Sequence, residues 1–156
     1  MLDDELTEIK KKSGSPKNFL LFLNYPNNPT GSVFSELQLK ELASVARKHQ
    51  VNSYFMIFFA KRVLIMFFAK IIVLADELYG ELTFSGKLRS IAEFYEEGTV
   101  VSTGLSKWCG AGGWRLGTFY CPPTLQNSLT KSLISVSRME IVLTVILISP
   151  SVKGGQ

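Results

Sequence analysis

The chain has 156 residues, a single-domain length that leaves no room for two full domains. Seventeen Lys and Arg stand against thirteen Asp and Glu, and the resulting +4 is spread along the chain, so no electrostatic footprint for nucleic acid stands out. With 46% hydrophobic and 19% charged residues, the composition excludes a disordered tail or a solvated coiled coil and supplies enough apolar side chain for a core.

In chain order, residues 2–12 read LDDELTEIKKK, with Leu2, Leu6 and Ile9 at helical spacing, acids first and bases last. That order suits a short surface helix and its dipole. Asn18 to Leu23 is apolar after its first residue and runs into NYPNNPTG, the pattern of a buried strand entering a rigid turn. Ser35 and Gln38 form a capping box, and Leu39, Leu42, Ala43 and Ala46 continue a helical period to His49. His49, at a helix end, reads as a dipole-favoured surface residue.

Tyr54 to Ala75 is the anomalous stretch: nineteen of its twenty-two residues are apolar, interrupted by Lys61, Arg62 and Lys70. On an insertion scale the apolar residues contribute roughly −6 to −11 kcal/mol and the three cations roughly +8 to +10, so a membrane span is the less favoured reading. IFFAK at 57–61 recurs as MFFAK at 66–70, a nine-residue self-similarity that matches no solenoid period. The stretch 51–70 therefore reads as an insertion. Further apolar runs, Ile71 to Ala75 and Thr99 to Thr103, meet Asp76-Glu77 and GLSK respectively, with a helix-type segment from Ser90 to Glu97 between them. Leu125, Leu129, Leu133 and Val136 again have a helical period, and an apolar run from Ile141 to Ile148 precedes a polar end. Apolar strands separated by helical segments predict an α/β fold, a mostly parallel sheet flanked by helices, with functional groups at the C-terminal ends of the strands.

Cys109 and Cys121 form no C-x-x-C pair, and the start lacks the order of a secretory signal, which predicts reduced thiols and a cytoplasmic location. One His and two Cys make a metal site an unsupported reading. Gly86-Lys87 fails as a P-loop because Leu88 stands where Ser or Thr would hold magnesium.

Three blocks, NNPTG at 27–31, DELY at 76–79 and GLSKWCGAGGWRLG at 104–117, resemble in this order the class I and II pyridoxal-phosphate-dependent aminotransferases. The resemblance covers Asn18 to His49 and Ile71 to about Leu129, the central part of that family's large domain. It implies that residues 1–156 are one partial large domain, with 51–70 as an insertion and 137–156 as an atypical tail. It also implies pyridoxal 5'-phosphate as cofactor and exchange of an amino group between an amino acid and a 2-oxo acid, by homodimers in the full-length family.

Residue by residue, the resemblance makes Lys107 the amine of the Schiff base and the later proton shuttle, roles that need a primary amine. Asp76 is the carboxylate that pairs with the ring nitrogen and keeps it protonated. Asn28 and Tyr79 are the donors to the ring's phenolic oxygen, and Arg115 is the planar fork for the phosphate. Trp114 reads as a packing aromatic. The pattern departs from the family at Gly104, where a hydroxyl residue commonly stands three positions before the lysine. The glycine-rich phosphate turn, the stacking aromatic and the substrate-clamping arginine have no counterpart. Two alternatives stay open: another fold type I enzyme, a lyase or synthase, and an inactive or membrane-associated remnant.

Overall fold

A computed structural model describes residues 2–13, 19–49, 71–84, 86–137 and 144–148. The expected insertion at 51–70 lies outside the described residues, as does most of the tail. The elements are α1 (Leu2–Ser13), β1 (Phe19–Asn24), α2 (Glu36–His49), β2 (Ile71–Asp76), β3 (Thr99–Gly104), β4 (Leu116–Tyr120), α3 (Pro123–Ser137) and β5 (Thr144–Ile148).

The five strands form one sheet in the order β1-β2-β3-β4-β5. β1 pairs parallel with β2, β2 with β3, and β4 with β5, whereas β4 runs antiparallel to β3. The predicted mostly parallel α/β sheet is therefore observed. The antiparallel step follows from chain length: residues 105–115 turn straight back, while a parallel return needs a crossover such as α2 or α3 supplies. β4 itself was not legible, because LGTFY is short and carries a glycine.

Local chemistry accounts for α2. The Ser35 hydroxyl accepts from the Gln38 amide at 3.3 Å, and the Gln38 side chain accepts from the Ser35 amide at 2.8 Å, so the predicted capping box is formed. Arg47, Lys48 and His49 occupy the last turn, where cations complement the helix dipole. Leu39, Ala43 and Ala46 turn inward at helical spacing and bury themselves against Leu23, Val73 and Ala75 of the sheet.

Four expectations are corrected. β1 is half open: Leu21 and Leu23 face the core, but Leu20 and Phe22 are 67% and 57% exposed, because no described residue covers that side of the strand. Ser90 to Glu97 forms two short 3-10 turns, Ile91–Glu93 and Glu96–Gly98, although the first carries a true capping box from Ser90 and Glu93. Trp114, read as a packing aromatic, is 71% exposed in a 3-10 turn at the rim of the sheet. His49 is buried, because α1 packs against α2 and its Asp3 carboxylate meets the His49 ring at 2.5 Å and the Lys48 ammonium at 2.7 Å. Those partners, Lys48 foremost, hold the Asp3 carboxyl below its ordinary range. Among the described residues no helix is long and apolar enough to cross a membrane.

Candidate functional site

Because β1, β2 and β3 are consecutive and parallel, their C-terminal ends lie side by side, with Asn24 in register with Asp76 and Asp76 with Ser102. The segments leaving those ends carry all the residues singled out from the sequence. After β1 the chain turns through Tyr25 to Ser32. The Asn27 amide donates to the Ser32 carbonyl at 2.9 Å, the Gly31 amide to the Asn27 carbonyl at 2.6 Å, and the Thr30 hydroxyl to the Asn27 side chain at 2.7 Å. Gly31 has φ +69°, a conformation that glycine adopts without a Cβ penalty. This turn presents Asn28 on its outside.

Asn28 and Tyr79 meet: the side-chain amide Nδ2 donates to the Tyr79 hydroxyl at 3.1 Å. Lys107, from the loop after β3, brings its Nζ to 5.4 Å from the centroid of the Tyr79 ring, within cation–π range. Three distant stretches of chain thus converge on one ring. Asp76 stands half-buried at the end of β2, where its Oδ1 accepts from the Leu78 amide at 3.3 Å. Arg115 is exposed, has the left-handed φ of 54°, and donates from Nη1 to the Gly112 carbonyl at 3.3 Å. Among the described residues, no hydrogen bond or ion pair joins Asp76 or Arg115 to the Asn28–Tyr79–Lys107 group.

A cavity of about 540 Å³ opens beside this group, between the turn after β1 and the stretch from Tyr79 to Arg89. Asn28 and Tyr79 line it together with Phe34, Leu82 and Lys87. Lys107 is not among the residues that line the cavity.

Gly104 has a structural cause. A Cβ at this position would stand 2.9 Å from the Leu116 carbonyl oxygen and 3.4 Å from Gly117 Cα, because β4 crosses directly against it. The family hydroxyl therefore has no room here. Gly104→Ser is expected to lower stability by about 1–3 kcal/mol, the usual cost of overpacking. Urea unfolding monitored by circular dichroism tests this; an unchanged midpoint would mean that β4 gives way.

One set of residues escaped the sequence reading. Glu77 follows Asp76, and its Oε1 accepts from the Tyr25 hydroxyl at 2.8 Å and from the Ser90 hydroxyl at 2.7 Å. The Tyr25 hydroxyl in turn accepts from the Ile91 amide at 2.6 Å. Burial pushes the Glu77 carboxyl above its ordinary range against the opposing pull of the two hydroxyls. Tyr25, 1% exposed, is raised likewise by burial and then by the Glu77 charge. The signal in the sequence was phase: position 77 continues the 71, 73, 75 alternation of the buried face of β2.

The family model for aminotransferase class I and II matches residues 2–57 and 63–148. The putative aminotransferase YugH of Bacillus subtilis is 40% identical over 108 residues, covering 68% of this chain and 23% of that protein. The probable N-acetyl-LL-diaminopimelate aminotransferase of the same organism is 30% identical over 131 residues, or 84% of this chain and 26% of the relative. Among solved structures, a double mutant of the Thermus thermophilus aspartate aminotransferase superposes with a TM-score of 0.57 at 28% identity, over 85% of this chain and 28% of that one. The chain thus spans about a quarter of the length of the curated relatives it matches.

Proposed function

We propose, from the premise that this chain belongs to the aminotransferase class I and II family, that it binds pyridoxal 5'-phosphate and serves amino-group exchange between an amino acid and a 2-oxo acid. One observation carries the reading: the Asn28 amide, the Tyr79 hydroxyl and the Lys107 amine come together at the C-terminal ends of parallel strands, from three separate blocks of sequence. Open α/β sheets bind ligands at that edge. The donor set fits the cofactor's chemistry, since a primary amine, two neutral hydrogen-bonding groups and a carboxylate stand on adjoining strand ends.

Pyridoxal 5'-phosphate, when bound, supplies an electron sink for charge developing beside a substrate's amine. Lys107 would hold it covalently through Nζ and, once a substrate amine takes that place, move the proton at the substrate carbon. Asp76 would pair with the ring nitrogen through its carboxylate. Its Oδ1 already accepts one amide, while Oδ2 has no protein partner among the described residues. Asn28 Nδ2 and the Tyr79 hydroxyl would orient the phenolic oxygen, and Arg115 would hold the phosphate, which requires its guanidinium to leave the Gly112 carbonyl. Assembly as a homodimer, amino and 2-oxo acids as substrates and a cytoplasmic location belong to the same proposal.

The test is chemical mapping. The chain mixed with pyridoxal 5'-phosphate is reduced with borohydride, digested and analysed by mass spectrometry, and the pyridoxyl mass is expected on Lys107. A label on other lysines alone, or none at saturating cofactor, overturns the reading.

A further inference from the structure

The Glu77 carboxylate sits where three pieces of the candidate site meet. Its own amide donates to the Ser102 carbonyl at 2.9 Å, tying the end of β2 to the end of β3, from which the Lys107 loop departs. Its Oε1 receives the hydroxyls of Tyr25 and Ser90. Tyr25 is the first residue after β1, and its amide donates to the Asp76 carbonyl at 3.2 Å. The Tyr25 ring also meets Phe34 edge-on, with centroids 5.2 Å apart, so both ends of the turn that presents Asn28 are gripped at one buried side chain. Of these groups Phe34 lines the cavity with Asn28 and Tyr79, whereas Tyr25, Glu77 and Ser90 do not.

We propose that Glu77 is a positioning residue: through the Tyr25 hydroxyl it sets the turn that carries Asn28 against the end of β2 that carries Asp76. A site gains affinity when its polar groups are preset, because binding then does not have to order them. What positions the turn is the reach of the Glu77 acceptor oxygen. Its charge is not needed, since both partners are neutral hydroxyls that a side-chain amide oxygen can equally receive. The inference rests on the cofactor reading above for its binding readout only.

The experiment compares Glu77→Gln, Glu77→Asp and Tyr25→Phe in the full chain, by two measurements. The first is the dissociation constant for pyridoxal 5'-phosphate. The second, free of cofactor, is the chemical shift of the Asn28 side-chain amide in a ¹⁵N-correlation spectrum, which reports its contact with Tyr79. Glu77→Gln keeps the reach and loses the charge, and is expected to match the wild type in both. Glu77→Asp keeps the charge but withdraws the oxygen by one methylene; with Tyr25→Phe it is expected to move the Asn28 resonance. Each is expected to weaken cofactor binding about tenfold, the equivalent of one lost hydrogen bond of about 1.4 kcal/mol. A role for the charge alone would reverse the order, with Glu77→Gln impaired and Glu77→Asp intact, and would overturn the proposal. So would an Asn28 resonance unmoved in both Glu77→Asp and Tyr25→Phe. If Tyr25→Phe does not fold, the two Glu77 variants decide by themselves. If the wild type does not bind cofactor, the cofactor reading fails while the Asn28 resonance still decides the positioning.

Discussion

Under the proposed function the chain is expected to develop a visible absorbance band with pyridoxal 5'-phosphate, and replacing Lys107 with alanine is expected to abolish that band and leave the fold unchanged. The two halves of this expectation have separate causes. Lys107 is exposed on the loop between β3 and β4, and its described contact is the approach of its Nζ to the face of Tyr79. Truncating such a surface side chain typically changes stability by no more than about 0.5 kcal/mol, so the urea midpoint should hold. The band, by contrast, requires an amine that can bond to the cofactor's aldehyde, and alanine has none. Lys107→Arg separates charge from chemistry: it keeps a cation above Tyr79 but offers a guanidinium that stays protonated and does not form the bond. It should be as silent as alanine. Lys87 is the competing amine, since it lines the cavity beside Asn28 and Tyr79. Lys87→Ala is expected to keep the band; if that variant loses it while Lys107→Ala retains it, the attachment site has been misassigned.

Gly98→Ala is expected to destabilise the chain severely, by about 3 kcal/mol, the upper end of what overpacking costs. A Cβ on Gly98 would fall onto Cε1, Cζ and the hydroxyl of Tyr95. Tyr95 has nowhere to retreat. Its ring is fully buried, its hydroxyl donates to the Ile71 carbonyl at 2.7 Å, and the Arg47 guanidinium lies 5.6 Å from its centroid on the α2 side. Its backbone carbonyl also accepts from the Thr99 hydroxyl at 2.5 Å. Moving the ring would break the bond to Ile71 at the start of β2 and take the buried Tyr95 hydroxyl from that acceptor, which adds about 1–3 kcal/mol. Urea unfolding measures the loss. The same substitution in a Tyr95→Leu background should cost markedly less, because the two positions share one space. Equal costs in both backgrounds would show that Gly98 is needed for some reason other than the Tyr95 ring.

The central elements of the fold were legible because each announces itself locally. Apolar runs that stop at Asn24, Asp76 and Gly104 became three parallel strands, and the Ser35–Gln38 box opened α2. Other features were illegible for equally specific reasons. β4 exists because its backbone completes the far side of β3, a non-local pairing that LGTFY does not advertise. His49 looks like a helix-end surface residue until α1 covers it. Glu77 reads as one of a charged pair after a strand, and only its phase with Ile71, Val73 and Ala75 hints that it points inward. Gly104 looked like a lost phosphate ligand and is instead the place where β3 and β4 come too close for a side chain.

By itself, the order of residues determined the α/β class and the strand–turn–helix that opens the sheet, while three short blocks carried the family resemblance. Those are properties of neighbouring positions: alternation, capping and turn formation act over a few residues. Tertiary structure alone decided that Asn28, Tyr79 and Lys107 stand together, that Asp76 and Arg115 make their hydrogen bonds elsewhere, and that the half-buried Glu77 carboxylate receives the Tyr25 hydroxyl at the base of the turn that carries Asn28. The reason is topological. Only when β1, β2 and β3 lie parallel and adjacent do their C-terminal ends share one edge, and that adjacency follows from burying the inner face of the sheet under α2.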